Sequence, residues 1–148
     1  PCKVGEVVND CMEFFEASLL LDSIDIENMC HDNSLIAICD QVQLGQVITN
    51  LISNAQHAMK HSVDKKLSIS VWEKDDYVYI AIQDSGCGME KEIVDKVCDP
   101  FFTTKPVGEG TGLGLSICFG IIQQHKGSMD VESEPGKGAR FTIVLPKG

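Results

Sequence analysis

Apolar residues recur every three or four positions in three long stretches of this 148-residue chain. The stretches are residues 4–21, 41–60 and 113–125, and this spacing is typical of helices that bury one face. Residues 90–97 predict a fourth, shorter helix. The helix predicted at 41–60 has the clearest apolar side, formed by Val47, Ile48, Leu51, Ile52, Ala55, Ala58 and Met59.

Alternation of apolar and polar residues, or a short apolar run, predicts the strands. Asp75 and Asp76 lie between two such segments and predict the turn of a hairpin, as Pro135 and Gly136 do later in the chain. Residues 99–112 hold two Pro and three Gly without an apolar period, and they predict a loop. The predicted strands are 24–27, 35–39, 67–71, 77–82, 129–131 and 141–145.

The order of these elements favours one fold class. Strands come in pairs separated by helices, so a doubly wound parallel sheet is disfavoured. We expect an α/β two-layer sandwich with a mixed, mostly antiparallel sheet and helices on one face. A length of 148 residues suits a single domain covering 1–148.

Composition narrows the function classes. The chain is 43% hydrophobic and carries 12 Lys and Arg against 22 Asp and Glu, a net charge of -10. No cluster of basic residues could follow a phosphate backbone, so we expect no nucleic-acid partner and no direct membrane contact. No apolar run is long enough to span a bilayer. Seven cysteines without a CxxC pair indicate reduced thiols in a cytoplasmic domain.

Asn50 and Asn54 are four residues apart on one side of the predicted 41–60 helix, and His57 and His61 continue the stripe. Asparagine is a poor helix former, so two in mid-helix suggest a use. An amide oxygen is a suitable ligand for Mg²⁺. Taken alone, the pattern is better explained by two hydrogen-bonded surface amides.

Asp84 ends an apolar row of alternating residues, and parity points its carboxylate inward with them. It precedes Gly86 and Gly88, which permit a tight turn and the close approach of a flat ligand. The carboxylate could accept a hydrogen bond from a purine amine. An Asp that caps its own turn is the simpler alternative.

A second glycine segment, Gly108–Ser116, alternates glycine with other residues and runs into the helix predicted at 113–125. Such a loop presents backbone N–H groups to phosphate. The P-loop and Rossmann fingerprints are absent, and a flexible linker is the alternative. Lys105, just upstream, is a candidate phosphate contact.

In order and spacing, these motifs resemble the ATP-binding catalytic domain of bacterial sensor histidine kinases, in the superfamily of gyrase, heat-shock chaperone, histidine kinase and mismatch-repair ATPases. The likeness covers nearly the whole chain and is strongest to the nitrogen-regulatory and dicarboxylate-sensing kinases. The matching segments are Gln46–Ala55 (N box), Asp84–Met89 (first glycine box), Asp99–Lys105 (F box), Gly110–Ser116 (second glycine box) and Gly136–Gly138 (start of the third).

The resemblance implies a Bergerat-type ATP-binding fold, with ATP and Mg²⁺ as cofactors. It implies Mg²⁺ ligation by Asn54, support of the metal and phosphate network by Asn50, and adenine binding by Asp84 between Gly86 and Gly88. Residues 99–112 would form a lid over the nucleotide. The implied catalytic residues are Asn50, Asn54, His57 and Lys105, and the implied phosphate-side contacts are Thr104, Lys105, Gly110, Thr111, Gly112, Leu113, Gly114 and Leu115.

Two positions depart from the family pattern. His57 stands where many members have Lys or Arg near the terminal phosphate, so its charge there would depend on pH. Ala139 stands where a Thr often follows the third glycine box, which puts one polar contact to adenine in doubt.

The resemblance also implies the reaction and the partners. The chain would pass the γ-phosphoryl group of ATP to a histidine on a separate dimerisation hairpin, and a response regulator would act downstream. Only His31 precedes an acidic residue, and its context does not fit an acceptor. We therefore expect a fragment that is monomeric and slow or inactive alone. It would come from a homodimeric parent protein, either anchored in a membrane or not. The alternatives are a non-catalytic ATP-sensing module and a serine kinase of the anti-sigma type.

Overall fold

The computed structural model describes residues 1–30, 32–96 and 114–148. Within them the helices are α1 Val4–Leu21, α2 Gln41–Ala58, α3 Lys91–Val94 and α4 Gly114–Gln124. The strands are β1 Cys2–Lys3, β2 Asp25–Asn28, β3 Ile36–Ala37, β4 Lys66–Lys74, β5 Tyr77–Asp84, β6 Ser128–Ser133 and β7 Ala139–Pro146.

Five strands form the main sheet, in the order β2-β4-β5-β7-β6. The β2–β4 pair is parallel, and the other three pairs are antiparallel. The hairpin predicted at Asp75 and Asp76 is confirmed, because Lys74 pairs with Tyr77 across the turn. The prediction of a mixed, mostly antiparallel sheet is therefore confirmed.

The first two strands predicted from the sequence do not pair with each other. The strand predicted at 35–39 is only Ile36–Ala37 long, and it pairs with β1 in a separate two-stranded sheet. β2 instead lies beside β4, which follows it only after α2. A strand of two residues carries no readable alternation, so β1 left no signal in the sequence pattern.

One face of the sheet is apolar and supports the helices. Along β5, Val78, Ile80 and Ile82 are buried, and in the register they lie beside buried residues of β7. α2 packs against α1, α4 and β5, so it runs through the centre of the helical layer. The two-layer sandwich predicted from the element order is confirmed by this arrangement.

The opposite face of the sheet is partly open and carries an aromatic pair. Trp72 of β4 and Tyr79 of β5 are direct register partners, and their rings stack with centroids 5.3 Å apart and planes 8° apart. The guanidinium carbon of Arg140 lies 5.8 Å from the Trp72 ring centroid, close enough for a cation–π contact. This cluster covers the outer side of the central strands.

Asp40 fixes where α2 begins. Its backbone is extended, and its carboxylate accepts a hydrogen bond from the Gln43 N–H at 2.9 Å. Such a cap stabilises a helix by about 1 kcal/mol.

The predicted 41–60 helix ends at Ala58, and the helix predicted at 90–97 ends at Val94 within the described residues. Across the described ranges, no helix combines the length and apolarity needed to cross a bilayer.

Candidate functional site

Asp84 lies at the end of β5, where the sheet gives way to the turn that runs to Met89. It is 5% exposed, and it is the only charged residue that is buried within the described part of the chain. It lies on the same face as Ile80 and Ile82, as parity predicted. An acidic group thus stands at the rim of an otherwise apolar core.

Hydrogen bonds compensate the buried carboxylate. Its Oδ1 accepts the Gly86 N–H at 2.8 Å. Burial raises the pKa of Asp84, and hydrogen bonds from the backbone of Gly86 and of Ala139 oppose that rise. A buried, partly satisfied carboxylate can accept a further hydrogen bond from a polar donor of a ligand.

The two glycines of this turn lie against protein backbone. A Cβ on Gly86 would lie 2.6 Å from the carbonyl oxygen of Ala58. Gly88 has φ +68°, and a Cβ there would overlap the carbonyl oxygen of Glu134. Neither position has room for a side chain, so the glycines are required for the turn to pack against its neighbours.

Hydrogen bonds hold the turn to the end of α2 and to the β6–β7 hairpin. The Cys87 N–H donates to the Ala58 carbonyl at 3.2 Å, and the Gly136 N–H donates to the Cys87 carbonyl at 2.7 Å. Ser133 Oγ accepts the Met89 N–H and donates to the Gly138 carbonyl, both at 2.8 Å. Sequence reasoning missed Ser133, whose position just before the Pro135–Gly136 turn was the available signal.

The asparagine stripe lies along the edge of α2. Asn50 and Asn54 are both partly buried. Asn50 Nδ2 donates to Cys118 Sγ on α4 at 3.6 Å, which ties the amide to the neighbouring helix. Cys118 is fully buried, and burial raises its pKa. The sequence held no sign of this contact, because it joins residues distant in the chain.

His57 lines a surface cavity of about 340 Å³ beside the C-terminal half of α2. Lys60, Lys65 and the acidic Asp22 line the same cavity, so it carries charges of both signs. Across it, Gln56 Nε2 donates to Asp22 Oδ2 at 2.6 Å and links α2 to the end of α1. The two lysines were not among the predicted site residues.

The predicted lid and most of the predicted phosphate contacts lie outside the described residues. Gly114 and Leu115 are described; they form the first turn of α4, and both are partly buried. Within 1–30, 32–96 and 114–148, no three His, Cys, Asp or Glu side chains cluster as metal ligands. The predicted residues outside the described ranges are Thr104, Lys105, Gly110, Thr111, Gly112 and Leu113.

The described site therefore has two parts. One is the acidic turn from Asp84 to Met89, and the other is the amide stripe of α2, which contacts α4 at Cys118. The two meet where Ala58, the last residue of α2, accepts the N–H of Cys87. The arrangement offers hydrogen-bond acceptors at one end and amide groups at the other.

Comparisons with known proteins agree with this geometry. Residues 39–148 match the family described as histidine kinase-, DNA gyrase B- and HSP90-like ATPase. The signal transduction histidine-protein kinase AtoS of Escherichia coli is 44% identical over 117 residues, which is 78% of this chain and 19% of AtoS. The chain thus spans about a fifth of the length of that relative.

Solved structures show the same fold. The catalytic domain of histidine kinase ThkA superposes with a TM-score of 0.87 at 30% identity, covering 99% of this chain and 95% of that one. ThkA in complex with the response regulator TrrA gives a TM-score of 0.83 at 28% identity, covering 99% of this chain and 41% of that one.

Proposed function

The chain belongs to the family of histidine kinase-, DNA gyrase B- and HSP90-like ATPases, and we propose that it is the ATP-binding catalytic domain of a sensor histidine kinase. It binds Mg-ATP and transfers the γ-phosphoryl group to a histidine on a helical hairpin outside residues 1–148. We propose that residues 1–148 form a single ATP-binding catalytic domain.

The buried carboxylate of Asp84 is the observation that carries this proposal. Burying a carboxylate costs free energy that hydrogen bonds or an opposite charge must offset. Asp84 stands at the mouth of a glycine turn, where an exocyclic amine of adenine could donate to it. The backbone packing of Gly86 and Gly88 holds the turn that presents this acceptor.

Asn54 and Asn50 suit the metal side of the site. Mg²⁺ prefers oxygen ligands and keeps several waters, so one amide oxygen and the phosphates of the substrate suffice. One N–H of the Asn50 amide donates to Cys118 Sγ. An amide nitrogen only donates, so the oxygen of that amide is its group for a cation. The ion would neutralise charge on the phosphates during phosphoryl transfer.

His57 and Lys105 complete the proposed catalytic set. The ammonium groups of Lys60 and Lys65, which line the cavity beside His57 together with Asp22, are consistent with a role near phosphate charge. Lys105 and the remaining phosphate contacts, from Thr104 to Leu115, are carried by the family resemblance of their motifs. Phosphoryl transfer asks mainly for positioning and charge neutralisation, which these groups could supply.

The partners follow from the family. We propose that the acceptor hairpin belongs to the same parent protein, that the parent is a homodimer, and that a response regulator receives the phosphoryl group. The solved complex of ThkA with TrrA supports the last point. We place the domain in the cytoplasm, where ATP is available.

Phosphoryl transfer to the parent's helical hairpin tests the proposal. The chain is mixed with that hairpin, Mg²⁺ and γ-labelled ATP. We expect label on the hairpin that acid removes and base does not, as a phosphohistidine requires. Label on serine would assign the chain to the serine kinases, and tight ATP binding without any label would make it an ATP-sensing module; either overturns the proposed reaction.

A pair of α2 variants tests the metal assignment. Asn54→Ala should lower ATP affinity in Mg²⁺ by about tenfold, a loss of about 1.4 kcal/mol. Gln41→Ala, at the exposed first position of the same helix, is the control and should leave the affinity unchanged. Calorimetric titration with and without Mg²⁺ measures both, and equal affinities for the two variants would contradict the assignment.

A further inference from the structure

Two cysteines outside the proposed nucleotide site have their sulfurs in contact. Cys2 lies in β1, and Cys39 follows β3 directly before α2. Their Sγ atoms are 2.8 Å apart, closer than the roughly 3.5–4.0 Å at which even non-bonded carbon atoms rest. Among the described cysteines, no other pair has its sulfurs in contact.

Backbone pairing explains why the thiols meet. β1 and β3 are antiparallel, with Cys2 opposite Ala37 and Lys3 opposite Ile36. Cys39 lies two residues beyond Ala37, in the bend that follows β3, and this bend brings its side chain next to Cys2. Cys2 is buried and Cys39 is partly buried, so the surrounding core holds both side chains in place.

We propose that Cys2 and Cys39 are a reversible disulfide site, closed by exchange with the disulfide of a low-molecular-weight thiol such as oxidised glutathione. The two protein thiols lose two protons and two electrons, one S–S bond forms between them, and the small disulfide is reduced to two thiols. The inference goes beyond the proposed kinase function and does not depend on it.

The chemical setting makes this a slow site. Burial and the adjacent Cys2 raise the pKa of Cys39 to about 12. The thiolate is the attacking species, so little of it is present at neutral pH. Closure should therefore respond to sustained oxidising conditions rather than to a brief pulse of peroxide.

The bond would lock the start of α2. Cys39 precedes Asp40, which caps α2 and whose N–H donates to His125 Nε2 at 3.1 Å. Closing the loop from Cys2 to Cys39 restricts the unfolded chain as well as β1 and β3. We expect the melting temperature to rise by about 5–10 °C on oxidation.

Redox titration of the native chain tests the site. Protein equilibrated in glutathione buffers of increasing oxidised fraction is trapped with acid and cleaved before aspartate, which places Cys2, Cys11, Cys30, Cys39 and Cys87 in separate peptides. We expect peptide 1–9 joined to peptide 32–39, and a melting temperature that rises with the joined fraction. Reduction should reverse both.

Matched variants decide the outcome. Cys39→Ser should abolish the link and the rise in melting temperature, whereas Cys87→Ser, which removes an exposed thiol, should preserve both. The proposal is overturned if the link forms only in denatured protein, if no link forms while Cys87 reacts with glutathione, or if the link leaves the melting temperature unchanged.

Discussion

His125 connects the end of one helix to the start of another through Asp40. The His125 Nε2 accepts the N–H of Asp40 at 3.1 Å, and its Nδ1 lies 2.7 Å from the carbonyl oxygen of Ile121. A carbonyl oxygen can only accept, so Nδ1 carries the proton and Nε2 is the acceptor. One neutral ring therefore satisfies an N–H before α2 and a carbonyl in the last turns of α4.

Removing this ring should weaken the contact between α2 and α4. His125→Ala loses two hydrogen bonds, and we expect the free energy of unfolding to fall by about 1–3 kcal/mol. His61→Ala, at an exposed position, should change it by less than about 0.5 kcal/mol. Urea unfolding of both variants measures the difference, and equal midpoints would show that the bridge is unimportant.

Asp84→Asn should weaken nucleotide binding without lowering the stability of the folded chain. The folded pKa of Asp84 is raised above the ordinary value of 3.8, so its ionisation opposes folding. Protonated Asp84 therefore favours the folded state. This contribution is fully present at pH values below the pKa of the unfolded chain, and it is lost as the pH rises through the higher pKa of the folded chain. Asp84→Asn should remove this loss, so at neutral pH the variant should be as stable as the parent or more stable.

The same variant should bind ATP at least about tenfold more weakly, because the amide presents a donor to the adenine amine. Urea unfolding from about pH 4 to pH 8, with ATP titration at neutral pH, measures the two effects. If the difference in free energy of unfolding between the parent and Asp84→Asn stays constant across that pH range, the argument that burial raises the pKa of Asp84 is wrong.

Gly88→Ala and Gly136→Ala form a matched pair, because both glycines have positive φ. A Cβ on Gly136 would meet no heavy atom of the described residues within 4 Å, whereas a Cβ on Gly88 would overlap the Glu134 carbonyl. We expect about 1–2 kcal/mol of destabilisation at Gly136 from backbone strain alone. Gly88→Ala should cost more than about 3 kcal/mol or prevent folding, because the overlap adds to the same strain.

Thermal unfolding of the two alanine variants provides the measurement. The order of their melting temperatures is the result that matters. Gly88→Ala melting at or above Gly136→Ala would show that the turn from Asp84 to Met89 can move away from Glu134.

Cys118 should position Asn50. Cys118→Ala removes the acceptor for the Asn50 amide, and we expect ATP affinity in Mg²⁺ to fall by about two- to tenfold. Cys118→Ser restores an acceptor and should recover part of the loss. Cys30→Ala, at another buried cysteine, is the control for general loosening of the core.

Calorimetric titration separates the two explanations. If Cys118→Ala and Cys30→Ala bind ATP equally well, the contact between Cys118 and Asn50 serves packing alone.

The sequence could predict features set by local patterns, but not features set by tertiary contacts. The helix at 4–21 and the hairpin around Asp75 were predictable, because periodicity and turn residues act within a few positions. The pairing of β2 with β4 was not, since it depends on how the intervening α2 packs. Two-residue strands such as β1 lack any period from which to predict them.

The same division applies to the site. The inward direction of Asp84 followed from alternation along β5. The close approach of Gly86 to Ala58, and of Asn50 to Cys118, joins segments far apart in the chain, and no spacing rule encodes it. The glycines were expected to make room for a ligand, and what the structure shows is that they make room for protein backbone.

The aromatic pair on the outer side of the sheet gives the chain a built-in optical probe. Trp72 is the single tryptophan of the sequence, and it stacks on Tyr79 on the face opposite Asp84. Its emission should change strongly when the central strands separate and little when a ligand occupies the other side. Intrinsic fluorescence can therefore follow unfolding of this protein in the presence of nucleotide without reporting occupancy.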